Sequence, residues 1–154
     1  MIYKLHPMKT KLIALSLLLV GCIAWAGTIG TVTLTSPATV AASSTNSTAQ
    51  TATDFTTGGY PIMGLTRVSF TFTGAAGSTN GTVTVFLSES SDGTRYSEAD
   101  QSNMKITITP NGTNSVTRTE RFDLSGVKKI RVGRVENTSG GDITNIVTSI
   151  TYLP

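Results

Sequence analysis

The chain has one cysteine, Cys22, and one histidine, His6, and both lie ahead of residue 27. Beyond that point there is no imidazole, no thiol and no way to form a disulfide. Zinc sites built from Cys and His are therefore excluded there, as are Ser-His-Asp and Cys-His nucleophiles. Small exported domains often rely on disulfides, so this one has to hold together through its sheets and core alone. Charge is also missing from the start of the chain: Lys4, Lys9 and Lys11 are the only charged residues among the first 53. After residue 26 no segment sustains a 3.6-residue apolar period, which argues against a helical bundle.

The first 26 residues do carry a pattern. Three lysines precede the apolar run Leu12-Ile13-Ala14-Leu15-Ser16-Leu17-Leu18-Leu19-Val20, which continues to Ala24-Trp25-Ala26. A basic start, a short apolar stretch and a small-x-small end make up a bacterial-type secretory signal, expected as an N-terminal signal helix cleaved before Gly27. A spanning helix needs about 20 apolar residues, and Gly27, Thr28 and Gly30 interrupt the run before that length. Met8 is an alternative start. Leu19-Val20-Gly21-Cys22 resembles the lipobox of bacterial lipoproteins, which makes Cys22 a candidate lipidation site and processing before it the alternative.

Removing residues 1–26 changes what the charge means. The whole chain has 12 Lys+Arg and 9 Asp+Glu, but three of the lysines leave with the signal, so the remainder is neutral. The basicity of the precursor is thus a property of export and gives no reason to expect a nucleic-acid partner. Contact with the membrane is expected only through the signal or a lipid on Cys22. The remainder holds 27 Thr and 15 Ser, about a third of it. Threonine is β-branched and suits the half-exposed face of a strand, so composition points to β-structure.

Three regions follow: the signal (1–26), a Thr/Ser-rich N-terminal strand and loop (27–62) and a β-sandwich core (63–154). Residues 37–57 are of low complexity and read as a long loop, an irregular edge strand or a flexible arm; in a self-assembling subunit, residues 28–57 would be the arm that adds a strand to a neighbour. Later runs alternate cleanly. Val68, Phe70 and Phe72 share one face, as do Val83, Val85 and Leu87, and a Gly/Asn-rich loop between the two runs suggests a hairpin. Further strands cover 104–109, 115–123, 127–136 and 143–152, adding Ile106, Ile108, Ile130, Val132, Ile146 and Ile150 to the core. The fold class expected is all-β, an antiparallel β-sandwich or jelly roll of about 7–8 strands. A small closed barrel is the alternative.

Ser90-Ser91-Asp92-Gly93-Thr94-Arg95-Tyr96 resembles the S-x-D-G-x-x-aromatic motif of discoidin-type, galactose-binding-like sandwiches, with Tyr96 where that family usually has tryptophan. Val127-Lys128-Lys129-Ile130-Arg131-Val132 is similar to a later strand of such domains, without its aromatic. The resemblance implies a sugar- or surface-binding sandwich. The motif also has a local cause, since Asp accepts backbone N–H bonds and Gly supplies a positive φ. Candidate ligand-binding residues are Tyr96, Arg95 and Tyr60, and Tyr152 is a further tyrosine that could close a sandwich end.

Glu89, Asp92, Glu98 and Asp100 gather in one region and are candidate calcium ligands, because Ca²⁺ takes hard oxygen donors from loops; no other cofactor is implied. Strict alternation places Lys129 and Arg131 on one face and Lys128, Ile130, Val132 and Arg134 on the other. That splits the basic run and assigns it to guarding strand edges. Asn46, Asn80, Asn111 and Asn137 each begin a glycosylation-type triplet. The function expected is a secreted, periplasmic or surface-attached, non-enzymatic structural or adhesive sandwich. The alternatives are a carbohydrate-binding module and a self-assembling subunit of a filament or virion. The intact mass of exported protein is expected to match a chain beginning at Gly27; a lipidated chain beginning at Cys22, or an uncleaved one, would contradict this.

Overall fold

The computed structural model describes residues 30–55, 64–98 and 103–152. Residues 1–26, read above as a signal and including Cys22, lie outside them, as do Tyr60 and Asp100. Among the described residues ten strands form: β1 (Gly30–Leu34), β2 (Thr39–Val40), β3 (Ser44–Asn46), β4 (Thr53–Asp54), β5 (Leu65–Gly74), β6 (Val83–Ser90), β7 (Lys105–Ile108), β8 (Ser115–Asp123), β9 (Lys129–Asn137) and β10 (Ile143–Tyr152). They make two antiparallel sheets, ordered β1-β10-β5-β8 and β3-β9-β6-β7, with β2 also on β10 and β4 also on β9. This is the double Greek-key winding of a jelly roll, a sandwich of two sheets rather than a closed barrel.

All twelve residues expected in the core are in it, joined by Leu34, Val40, Phe55, Met104, Leu124, Val127, Val135 and Ile143. Phe70 and Phe72 are wholly buried, with ring centroids 5.5 Å apart. Complete burial of such a side chain contributes about 1.5–3 kcal/mol. Tyr152 closes one end, edge-on to Phe55 at 5.4 Å.

One expectation changes, and one set of alternatives narrows to the irregular edge strand. β5 and β6 are not a hairpin: β5 pairs with β10 and β8, and β6 with β9 and β7. The loop between them crosses from one sheet to the other, turning through positive φ at Gly77 and Gly81. The low-complexity stretch, for its part, is an irregular edge within its own chain. β1 and β2 border β10 in one sheet, the chain crosses over at residues 41–43, and β3 and β4 border β9 in the other. Gln50 N–H donates to Val132 O (2.9 Å) and Phe55 N–H to Lys128 O (2.9 Å), fastening the segment between the short strands.

Asn137 holds the crossover. Its buried Nδ2 donates to Val40 O, Ala41 O and Gly141 O, and its Oδ1 accepts from Ser139 N–H and Oγ–H. One side chain thus ties the crossover to the β9–β10 loop, and its burial removes it from consideration as a glycan acceptor. At the opposite edges, Arg118 of β8 turns toward the inter-sheet side. It donates to Thr107 O of β7 (3.0 Å) and pairs with Glu120 (2.6 Å). Inward-facing charge on an edge strand is a recognised guard against pairing with another sheet.

Asn137→Ala would remove the amide donor that links Val40, Ala41 and Gly141 carbonyls and leave the buried Ser139 N–H without its acceptor. It is expected to lower unfolding free energy by about 2–4 kcal/mol in urea titrations. A loss under about 1 kcal/mol would contradict the assigned role.

Candidate functional site on the outer face of the second sheet

β9 runs through the middle of the second sheet, between the N-terminal edge and β6. Its register with β6 slips by one residue: Phe86 lies opposite Arg134, Leu87 lies opposite Val132, and Gly133 is the extra residue. A bulge of this kind reverses which positions face inward. Ile130 and Val132 are buried before it, and Val135 and Asn137 after it. Arg134, expected on the face opposite Arg131, therefore shares the outer face with it. The edge-guarding role assigned to these two residues is likewise corrected, because β9 is an interior strand.

Each of the two guanidinium groups lies over an aromatic ring. Arg131 sits 4.0 Å from the centroid of Tyr96, and Arg134 sits 4.1 Å from that of Phe86. Such stacking contributes about 0.5–2 kcal/mol depending on desolvation, and it fixes the plane of the fork. Arg131 Nε is buried and has no hydrogen-bond partner. Around the pair is a groove of about 470 Å³, walled by Ser47 and Ala49 on one side and by Tyr96, Ser97 and Glu98 on the other, with Ser88 and Gly133 between.

The loop after β6 delivers Tyr96 to this groove. Asp92 Oδ1 accepts from Thr94 N–H (2.8 Å), Arg95 N–H (2.8 Å) and Ser90 Oγ–H (3.0 Å), while Ser90 Oγ accepts from Gly93 N–H (2.9 Å). Gly93 takes φ 84°, a conformation that glycine adopts without steric cost. The chain then folds back, with Ser97 N–H donating to Glu89 O and Glu89 N–H to Ser97 Oγ. The S-x-D-G motif thus builds the turn that sets Tyr96 against Arg131.

The sequence-predicted residues separate. Tyr96 and Glu98 line the groove, whereas Arg95, Glu89 and Asp92 border an adjoining open depression of about 400 Å³. Glu89, Asp92 and Glu98 form no group of three acidic, His or Cys side chains among the described residues. Oδ1 of Asp92 is committed to the turn. Sequence reasoning missed Phe86, Ser88, Gly133 and the pairing of Arg131 with Arg134. The usable clue was a glycine inside a strand at the point where the apolar beat skips, from Val132 to Val135.

No protein-family model and no curated protein matches the chain. Several solved structures are similar in fold. A carbohydrate-binding module from Cellvibrio mixtus lichenase 5A, in complex with cellotriose, is 18% identical over 79% of this chain and 85% of that one, with a TM-score of 0.41. The Yersinia pseudotuberculosis-derived mitogen is 12% identical over 83% and 87%, with a TM-score of 0.37. The Eiger TNF of S. frugiperda is 13% identical over 62% and 61%, with a TM-score of 0.34. At these values the likeness is one of β-sandwich architecture, and the site has to be read from its own residues.

The Asp92 carboxyl is held well below the usual carboxylate range, first by the Arg95 and Thr94 amides and then by hydroxyl donors. Asp123 is lowered too, by the side chain and amide of Ser125. A depressed folded-state pKa contributes stability that is present above the unfolded value, about 4, and is lost as pH falls toward the folded one. Unfolding stability should therefore decline between about pH 4 and pH 2. Asp92→Asn should flatten that decline in urea titrations at stepped pH, and an identical slope in the variant would contradict this.

Proposed function

We propose that the chain beyond the signal is an exported, non-enzymatic sandwich module that binds carbohydrate in the groove of the second sheet. The observation that carries this reading is the stacked Tyr96–Arg131 pair forming one wall of a groove that Ser47, Ser88 and Ser97 also line. A sugar ring presents an apolar C–H face and a rim of hydroxyls. A fixed aromatic ring with adjacent planar donors and serine hydroxyls matches both features. The groove volume also falls within the range of small-ligand sites, about 300–1,000 Å³.

Two features support a binding role over catalysis. Among the described residues Glu98 is the one carboxylate lining the groove, whereas glycoside hydrolysis uses a pair. The region beyond residue 26 also has no imidazole or thiol. The basic, apolar and small-x-small start supports a location outside the cytoplasm, either as soluble protein or held by a lipid on Cys22. A structural or adhesive role at a surface fits the same reading, with the groove as the adhesive contact.

Native-gel retention on a panel of neutral and acidic polysaccharides is the direct check. The wild-type chain is expected to be retarded by at least one of them. Tyr96→Ala should weaken that retention by about tenfold, with the β-type circular dichroism and the urea midpoint maintained. Failure to bind any polysaccharide, or full binding by Tyr96→Ala, would overturn the reading.

A further inference from the structure

Resting on that reading, we infer that the groove selects acidic glycans, those bearing a carboxylate or sulfate on the sugar ring. The β9 bulge brings two guanidinium groups to one groove, with buried Val132 and the extra residue Gly133 between them along the strand. Against them the described lining offers one acidic residue, Glu98, and its remaining described side chains are uncharged. The groove is therefore locally cationic in a chain that is neutral overall after the signal.

The arginines are not arranged as solvated surface charge. Tyr96 fixes the plane of the Arg131 guanidinium, so the edge of that fork remains its hydrogen-bonding surface. Ion pairs among the described residues join Arg118 to Glu120 and Lys129 to Asp54, and neither involves Arg131. Arg131 also keeps a buried Nε without a partner. A partly buried guanidinium with unused donors and a locked plane is a receptor for a planar or tetrahedral oxyanion. The two-pronged fit to such groups is where arginine exceeds lysine. Neutral sugars could still stack on the wall, but they would leave those donors facing water or neutral hydroxyls, which return less energy than an oxyanion does.

The test titrates full-length mature protein with oligogalacturonate, a chondroitin sulfate oligosaccharide, cellotriose and a single-stranded DNA oligonucleotide, at low and high salt, by calorimetry. The expected order is one or both acidic glycans bound about tenfold or more tighter than cellotriose, weakening as salt rises. Comparing oligogalacturonate with the sulfated glycan identifies which anion is read. Arg131→Gln should remove the preference. Arg131→Lys should restore it only partly, because it keeps the charge but loses the fork. Arg121→Gln, exposed on the other sheet, should leave binding unchanged. Equal binding of acidic and neutral glycans, insensitive to Arg131→Gln, would overturn the inference while leaving the carbohydrate reading in place. Binding of none of the glycans would remove both. Tighter binding of DNA than of either acidic glycan would overturn the inference in favour of phosphate-backbone recognition.

Discussion

One extra residue in β9 decides what the second sheet presents to solvent. Had alternation run straight through Gly133 with no slip in register, Arg134 and Val135 would lie on the faces opposite to those they occupy, burying a charge and exposing an apolar side chain. The core enforces the slip, because Val135 and Asn137 are needed inside as Ile130 and Val132 are. Two arginines then emerge together on the outer face, and Phe86 and Tyr96 take up their planes. The groove is thus a by-product of core register, held by the same hydrophobic preference that holds the fold.

The surrounding structure supports this face from both sides. The N-terminal edge follows β9 past the bulge, and the Gln50 amide caps Val132 O where the ladder is disturbed. That edge is fixed in turn by Asn137, whose amide reaches both the crossover and the β9–β10 loop. On the other wall, the Asp92 turn and the Ser97–Glu89 bonds position Tyr96. With no disulfide available beyond residue 26, small polar side chains take over the stapling. The Ser/Thr richness is used this way elsewhere too: Ser69–Thr119 and Thr71–Thr117 hydroxyl pairs, each at 2.7 Å, lace β5 to β8 on the first sheet.

Most of the fold was legible because period-two alternation is a direct record of burial. Val68, Phe70 and Phe72, or Val83, Val85 and Leu87, need no further information to be assigned inward. What failed were features in which alternation is broken or unmarked. The β5–β6 link reads as a hairpin locally, but which sheet a strand joins depends on long-range pairing that no short window contains. Phe55, alone in a polar stretch, gives no period at all, yet it packs on Tyr152. At the site, the S-x-D-G turn and Tyr96 were readable from local chemistry. The arginine pair was not, because strict alternation was carried through Gly133. In β10 the same slip occurs at Asn145, with φ 50°, and lets Ile143 and Ile146 both face the core. A skipped beat beside Gly or Asn is the mark that both cases share.

The most direct measurement is nitrogen–proton correlation NMR of a chain beginning at Gly27, including the arginine Nε–H signals, during titration with oligogalacturonate. The expected result is that Arg131 and Arg134 Nε–H move together with the amides of Ser88, Tyr96 and Gly133. Changes confined to residues 89–95, or to Arg67 and Arg121 on the first sheet, would contradict the site and the register that creates it.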